Sequence, residues 1–165
     1  IRKIGNKKIE VKIVETEAYM GAEDKASHAY NNKKTKRTKT MFKNGGYTYI
    51  YLIYGMYNCL NIVTGIKDEP QAVLIRSVEP VSGLEYIKAN RNIKSNKIED
   101  LTNGPGKLCE ALKIDTSLNE IDLLDNEKLY IVEENKSEEN EIKRVMQMKI
   151  KMKMMRRTTM NIDNI

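Results

Sequence analysis

Glu17 is the side chain of this 165-residue chain with the strongest potential for acid–base chemistry. It ends the sequence ETE and is followed by Tyr19, by the sole histidine of the chain, His28, and by a tyrosine-rich stretch that contains Tyr49 and Tyr51. A carboxylate can orient and deprotonate a water molecule, and aromatic rings can stack on a planar base. Together these residue types would suit hydrolysis next to a flat group. The alternatives are an ordinary loop histidine and tyrosines that pack in pairs across strands.

Metal chemistry is excluded by the same inventory. A single histidine, with two cysteines that form no C-x-x-C pair, cannot supply the usual ligands of a zinc site. Cys59 and Cys109 also suggest no disulfide framework, and we expect both to be small buried apolar side chains. We therefore expect neither a metal ion nor a cofactor.

Positive charge is concentrated next to these residues. The net charge is +6, and residues 25–67 contain no Asp or Glu but eight Lys and Arg side chains. A long segment of one sign attracts a polyanion and makes its binding depend on salt. The alternative is a solvated lysine-rich loop that binds nothing.

The strand that carries Glu17 leaves two possibilities open. Residues 9–17 begin with alternating apolar and polar residues, and a continued pleat places Glu17 and Tyr19 on the inward face. A carboxylate on that face is costly unless it opens into a cleft. The alternative is a strand that ends or bulges at Val14 and turns Glu15 and Glu17 to water.

A tyrosine-rich hairpin is the next predicted unit. Residues 47–52 and 58–63 alternate as two strands, and Tyr54 lies at the Tyr-Gly corner between them. Residues 72–78 form a third strand that places Arg76 on the face of Leu74. There Arg76 is either a paired arginine at the core edge or a phosphate contact.

The remaining pattern predicts short helices. Residues 80–91 and 105–112 have helical features, and residues 129–132 are predicted as a late strand. The entry to the second helix, Asn-Gly-Pro-Gly followed by Lys107, is a weak signal for phosphate binding. We predict one domain over residues 1–142 and an irregular basic tail rich in Met and Lys over residues 143–165.

Removal of one base from duplex DNA would use all of these features. Such an enzyme holds phosphates, fills the gap that the flipped base leaves, grips the base between rings and delivers water to the sugar. Ordinary glycosidases need two carboxylates, but a purine alkylated at N3 or N7 is cationic and leaves readily, so one carboxylate suffices. No lysine nucleophile is then required.

Several motifs in one order resemble the alkyladenine (3-methyladenine) DNA glycosylase family of the mammalian and bacterial type. They are VETEAYMGAEDKASHAY, MF, YIYLIYGMYNCLNIVTG, AVLIRSVEP, GLE and LTNGPGKLCEALKID, between about residues 10 and 132. The chain departs from the family pattern in starting at Ile1, without the preceding helix and strand, and in the Met/Lys-rich ending. We therefore expect the chain to be truncated at the N-terminus.

The resemblance implies a role for each matching residue. Glu17 matches the general base, Tyr54 the wedge inserted into the duplex, and Asn61 the side chain that discriminates against normal guanine. The residues that sandwich the flipped base match Tyr19, His28 and Tyr51. Arg76, Arg37 and Met41 match residues that contact the DNA surface or its phosphates. The helix-entry motif adds Lys107 to these candidates.

The resemblance also implies a fold and an activity. The fold is α+β, a single compact domain on a curved antiparallel sheet with short flanking helices. The activity is excision of alkylated or deaminated purines without a lyase step, by a monomer that is intracellular and bound to double-stranded DNA, with no membrane partner. The alternatives are an impaired remnant that only binds damaged duplex DNA and an enzyme that acts on free nucleosides.

Overall fold

The computed structural model describes residues 1–95 and 97–133. The chain divides into two units, Ile1–Leu129 and Tyr130–Ile165, and the helices and strands of the described residues all lie in the first. The predicted domain boundary after residue 142 and the predicted tail lie outside the described residues. Within those residues, no helix combines the length and the apolar character that a membrane span requires.

Five strands form one curled antiparallel sheet in the order β1-β2-β5-β4-β3. They are β1 (Arg2–Ile4), β2 (Lys7–Tyr19), β3 (Thr48–Ile53), β4 (Tyr57–Val63) and β5 (Ala72–Ser82). The prediction of an α+β fold on an antiparallel sheet is confirmed, as are the four longer strands. The sequence did not predict β1, because three residues are too few to show a periodicity.

Two α-helices follow the sheet, α1 (Leu84–Arg91) and α2 (Pro105–Ala111). Short 3-10 helices occur at Tyr30–Asn32, Lys39–Phe42, Ile98–Leu101 and Thr116–Leu118. The helix predicted from residue 80 starts later, because β5 continues to Ser82 and Gly83 turns the chain with φ of 80°. A side chain at Gly83 would also come within 3.1 Å of Ile9, so both the turn and the packing favour glycine.

The predicted strand at residues 129–132 is wrong. Leu129 makes a single antiparallel bridge with Arg2, and residues 130–132 carry no strand. The partner strand β1 is only three residues long and already pairs with β2 on its other side. A four-residue apolar run is too short to separate a strand from one bridge by its pattern.

The sheet buries side chains on both faces. Helix α2 packs against β4 and β5, and Leu108 on this helix is fully buried, as is Ile87 on α1. Full burial of a leucine contributes roughly 1.5–3 kcal/mol. On the other face, Tyr49 and Tyr51 form a cluster with Met41 and Phe42 of the irregular segment of residues 20–46.

Both cysteines are free and buried, as expected. Burial raises the pKa of the Cys59 thiol, and it raises the pKa of Cys109 to about 12. Both thiols are therefore protonated at neutral pH and act as small apolar groups.

The loop of residues 118–121 covers the outer edge of β3. The Thr48 amide donates to the Ile121 carbonyl over 2.9 Å, and the Thr48 hydroxyl donates to the Leu118 carbonyl over 2.6 Å. The Ile50 amide donates to Oδ1 of Asn119 over 2.8 Å. Since an open edge strand can pair with another chain, this cover also protects the sheet from association.

Glu120 ties the same loop to the basic segment. Its two carboxylate oxygens lie 2.8 Å from Nζ of Lys43 and 2.9 Å from Nζ of Lys39. Hydrogen bonds from Lys43 and Lys39 lower the pKa of Glu120 from 4.5 to about 2. Glu120 therefore holds Lys39 and Lys43 of the basic segment in place.

Replacing Glu120 with Gln should lower the free energy of unfolding at pH 7 by about 1 kcal/mol, after allowance for solvent screening. The pKa of Glu120 is depressed in the folded state, so its contribution is complete above pH 4.5 and is lost as the pH falls through about 2. Urea unfolding of both proteins from pH 7 to pH 2 measures this. A difference that persists at pH 2, or an equal loss in the exposed-loop control Glu23→Gln, would contradict the assignment.

Candidate active site

Two of the three register shifts between β2 and β5 lie on either side of Glu15. The pairing of β2 with β5 keeps one register on both sides of Glu15, but Val14 on β2 and Arg76 on β5 are extra residues without a partner in the ladder. Bulges of this kind bend a strand and re-aim a side chain. Here the bulged Arg76 reaches back to two carboxylates of β2.

The Glu17 carboxylate lies between an arginine and a tyrosine. Nη1 of Arg76 donates to Oε2 of Glu17 over 2.6 Å, and the Tyr19 hydroxyl shares a hydrogen bond with Glu17. The side chain of Glu17 is 41% exposed. Since a water molecule can reach it while its orientation is fixed, the carboxylate meets two requirements of a base.

Both possibilities left open for this strand are partly realised. The bulge at Val14 exists, and Glu15 is turned to solvent with 58% of its side chain exposed. However, the pleat resumes after the bulge, and Glu17 lies in a cross-strand row with buried Leu74 and Asn61. Arg76 is accordingly a paired arginine at the edge of the core.

A small cavity opens on the same face of the sheet. Its volume is about 230 Å³, including space that is open to solvent. Its lining contains the expected Tyr19, His28, Tyr51 and Asn61, and also Ala26, Met41 and Tyr49. Glu17 is outside the lining and adjoins it through Tyr19.

His28 is held by two tyrosines. Its Nδ1 lies 2.9 Å from the Tyr49 hydroxyl, and its ring meets the Tyr51 ring edge-on with centroids 4.6 Å apart. Burial and the nearby Arg37 lower the pKa of His28 below 6.5. The imidazole is therefore neutral at pH 7, with its plane set by the Tyr49 contact.

The tyrosines of the cavity are neutral as well. Burial and the hydrogen bond with Glu17 raise the pKa of Tyr19 to about 12, and burial raises the pKa of Tyr51 and Tyr49. Their rings thus present uncharged aromatic faces at any physiological pH. Tyr49 is 2% exposed and anchors His28, a role that its position in the alternating tyrosine strand did not distinguish from packing.

Asn61 has a fixed orientation in the cavity. Its Nδ2 donates to the carbonyls of Tyr49 over 3.1 Å and of Cys59 over 3.3 Å. Both amide hydrogens are thereby used, which leaves Oδ1 as the atom suited to meet a ligand. The side chain is 1% exposed, so its displacement by an ill-fitting group would cost free energy.

Arg37 and Met41 occupy different surroundings. The Arg37 guanidinium lies 4.8 Å from the centroid of the Tyr51 ring and is exposed, as a surface contact requires. Met41 is 1% exposed and lines the cavity. Met41 therefore does not lie on the outer surface where DNA contact was expected, since the first turn of the Lys39–Phe42 helix buries it under the sheet.

Tyr54 and Lys107 lie outside the cavity lining. Tyr54 sits in the turn between β3 and β4 and is 82% exposed, with a left-handed φ of 53°. This conformation costs a residue other than glycine about 1–2 kcal/mol. Lys107 donates from Nζ to Oδ1 of Asn103 over 2.6 Å, and its helix is seven residues long. The seven-residue helix gives no independent support for a phosphate site there.

Part of the basic segment is internally compensated. Lys39 and Lys43 bind Glu120, and Lys34 lies 3.3 Å from Asp68. The attraction of this segment for a polyanion is thus smaller than its eight charges suggest. Residues 1–95 and 97–133 also contain no group of three or more His, Cys, Asp and Glu side chains that could hold a metal ion.

The family model for methylpurine-DNA glycosylase matches residues 1–159. The chain belongs to this family. A protein of Natranaerobius thermophilus named "Putative 3-methyladenine DNA glycosylase" is 53% identical over 131 residues, which are 79% of this chain and 66% of that protein. Proteins of the same name from Clostridioides difficile and Borreliella afzelii are also 53% identical, over 67% and 65% of their lengths. The chain thus spans about two thirds of these relatives, over 79% of its own length.

Membership of the methylpurine-DNA glycosylase family confirms the resemblance that the motifs indicated. The match assigns no role to individual side chains.

Replacing Arg37 with Gln should raise the pKa of His28 towards its ordinary value of 6.5, because a positive charge that disfavours the imidazolium is removed. As His28 is the sole histidine, a titration of its ring protons by NMR follows this one group. The variant Lys36→Gln, on the same exposed segment, is the matched control and should leave the midpoint unchanged. Equal midpoints for Arg37→Gln and the wild type would show that Arg37 does not act on the ring.

Proposed function

We propose that the protein is a monofunctional DNA glycosylase that flips a damaged purine out of duplex DNA and hydrolyses its N-glycosyl bond. The observation that carries this proposal is the Glu17 carboxylate, oriented by Arg76 and Tyr19 at the rim of a cavity lined with aromatic rings. The substrates are alkylated or deaminated purines, of the class of 3-methyladenine, 7-methylguanine, ethenoadenine and hypoxanthine.

The flipped base stacks among Tyr19, His28 and Tyr51. Stacking on aromatic side chains contributes about 1–3 kcal/mol per base, which is comparable with the few kcal/mol that unstacking costs. Neutral rings suit this task because they accept a cationic base without charge repulsion. Asn61 forms the floor and excludes the amino group of normal guanine, since its rigid amide has no room to move.

Glu17 activates the water molecule that attacks the sugar. With one oxygen bound to Arg76, the carboxylate can take the water proton and stabilise positive charge that develops on the sugar carbon. A purine methylated at N3 or N7 leaves with its electron pair without prior protonation. The cavity lining contains no lysine, so its residues offer no amine for the Schiff base of a lyase step.

Tyr54 and the basic surface hold the duplex. The exposed ring at the β3–β4 turn, next to Met56 with 67% exposure, fills the space that the flipped nucleotide leaves. Arg37 and Lys107 lie near the phosphates, whereas Arg76 stays paired with Glu17 and Glu15. The partner is thus double-stranded DNA with a damaged purine, bound by a monomer inside the cell, with neither a membrane nor a cofactor involved.

Replacing Glu17 with Gln should slow base excision by about 10²–10⁴-fold, the usual contribution of a general base. The assay incubates the full chain with a duplex that carries one hypoxanthine or ethenoadenine and cleaves abasic sites with alkali. Glu23→Gln, in the exposed loop, is the matched control with wild-type rates. Full activity of Glu17→Gln would refute the role of Glu17, and binding without excision by the wild type would favour the impaired remnant.

Replacing Tyr54 with Asn should raise the free energy of unfolding by about 1 kcal/mol, because Asn tolerates the left-handed turn. The same change should slow excision from duplex DNA, because the wedge is lost. Urea unfolding and single-turnover excision measure the two effects on one preparation. An unchanged excision rate would remove Tyr54 from the mechanism, and activity on free nucleosides would indicate the third class of enzyme.

A further inference from the structure

Glu15 is held at the site although none of the roles above uses it. Its Oε1 accepts a hydrogen bond from Nε of Arg76 over 3.2 Å, while Nη1 of the same guanidinium contacts Glu17 over 2.6 Å. One arginine therefore bridges two carboxylates of β2. The arrangement depends on the double bulge beside Glu15, because Val14 and Arg76 are the two residues there without a partner in the ladder.

Stability does not account for this bridge. The three side chains are 39%, 41% and 58% exposed, and exposed ion pairs typically contribute only about 0–1 kcal/mol. A second carboxylate on an arginine that already has a partner adds still less. The geometry of the bridge is therefore of more interest than its energy.

Arginine prefers to bind a carboxylate with two parallel N–H groups. If Nε of Arg76 were released by Glu15, the guanidinium could turn and bind both oxygens of Glu17. A carboxylate bound through both oxygens has poor access to a water proton. The hydrogen bond to Glu15 occupies Nε of Arg76. Arg76 therefore contacts only one carboxylate oxygen of Glu17.

We propose that Glu15 is a positioning residue for excision, which holds Arg76 in single contact with Glu17 and so keeps the second oxygen of Glu17 open to the attacking water. This inference rests on the proposed function. It assigns Glu15 no contact with the base or with the sugar. Its effect passes through Arg76 alone.

The test is single-turnover excision of hypoxanthine from duplex DNA by full-length variants. Glu15→Ala should slow excision roughly 10-fold, within the range that small misplacements cause, and leave the dissociation constant for the damaged duplex unchanged. Glu15→Gln keeps the oxygen acceptor for Nε and should restore most of the rate. Glu79→Ala, an exposed glutamate on β5, is the matched control and should match the wild type.

A double-mutant cycle identifies the route of the effect. Lysine cannot form the two-pronged contact, so in an Arg76→Lys background the change Glu15→Ala should cost nothing further. A wild-type rate for Glu15→Ala, an equal loss in both backgrounds, or a loss of duplex affinity instead of rate would each overturn the proposal.

A separate readout distinguishes failure of the inference from failure of the proposed function. If the wild type releases no base, the proposed function is wrong. The Nε–H resonance of Arg76 in an NMR spectrum then still reports on the bridge between Glu15 and Glu17. This resonance should shift in Glu15→Ala but not in Glu79→Ala. An unchanged resonance would overturn the positioning role by itself.

Discussion

The ion pair between Arg76 and Glu17 is the interaction on which the candidate site depends. It crosses from β5 to β2 at a point where both strands carry an extra residue, so the sheet is irregular at the very place where the charges meet. A regular ladder would keep Arg76 in register with a residue of β2 and would not free it to reach two carboxylates. The pairing has the same register on both sides of the irregularity, which keeps Glu17 in a cross-strand row with Leu74 and with Asn61, a residue of the cavity lining.

The aromatic cavity and the acidic pair are built by different means. Cross-strand packing positions Tyr49 and Tyr51, and His28 is fixed by a hydrogen bond to Tyr49 and by ring contacts with Tyr49 and Tyr51. The hydrophobic face of the sheet thus fixes the groups that would hold a base, whereas electrostatic contacts fix the group that would activate water. Tyr19 joins the two, since its ring lines the cavity and its hydroxyl bonds to Glu17.

Sequence patterns predicted the parts of this architecture that repeat with a period. Alternation gave β2, β3, β4 and β5, and motif order gave the family, which the comparisons confirm. A bulge has no period, so the sequence pattern left open which face of the sheet the Glu17 side chain lies on. That face depends on Val14 and Arg76 together, the two residues without a partner beside Glu15. The role of Tyr49 could not be predicted for another reason, because a tyrosine that packs and one that anchors a histidine have the same spacing. Met41 was placed on the outer surface by resemblance, whereas burial of the Lys39–Phe42 turn brings it into the cavity lining.

The two buried thiols have a consequence for the chemical durability of the protein. Electrophiles that methylate purines also react with sulfur, and the species they attack is the thiolate. Cys59 and Cys109 are 3% and 1% exposed, and both are protonated at neutral pH. Neither thiol therefore offers an alkylating agent a thiolate nucleophile, so these two positions are protected from the same chemical stress that damages DNA.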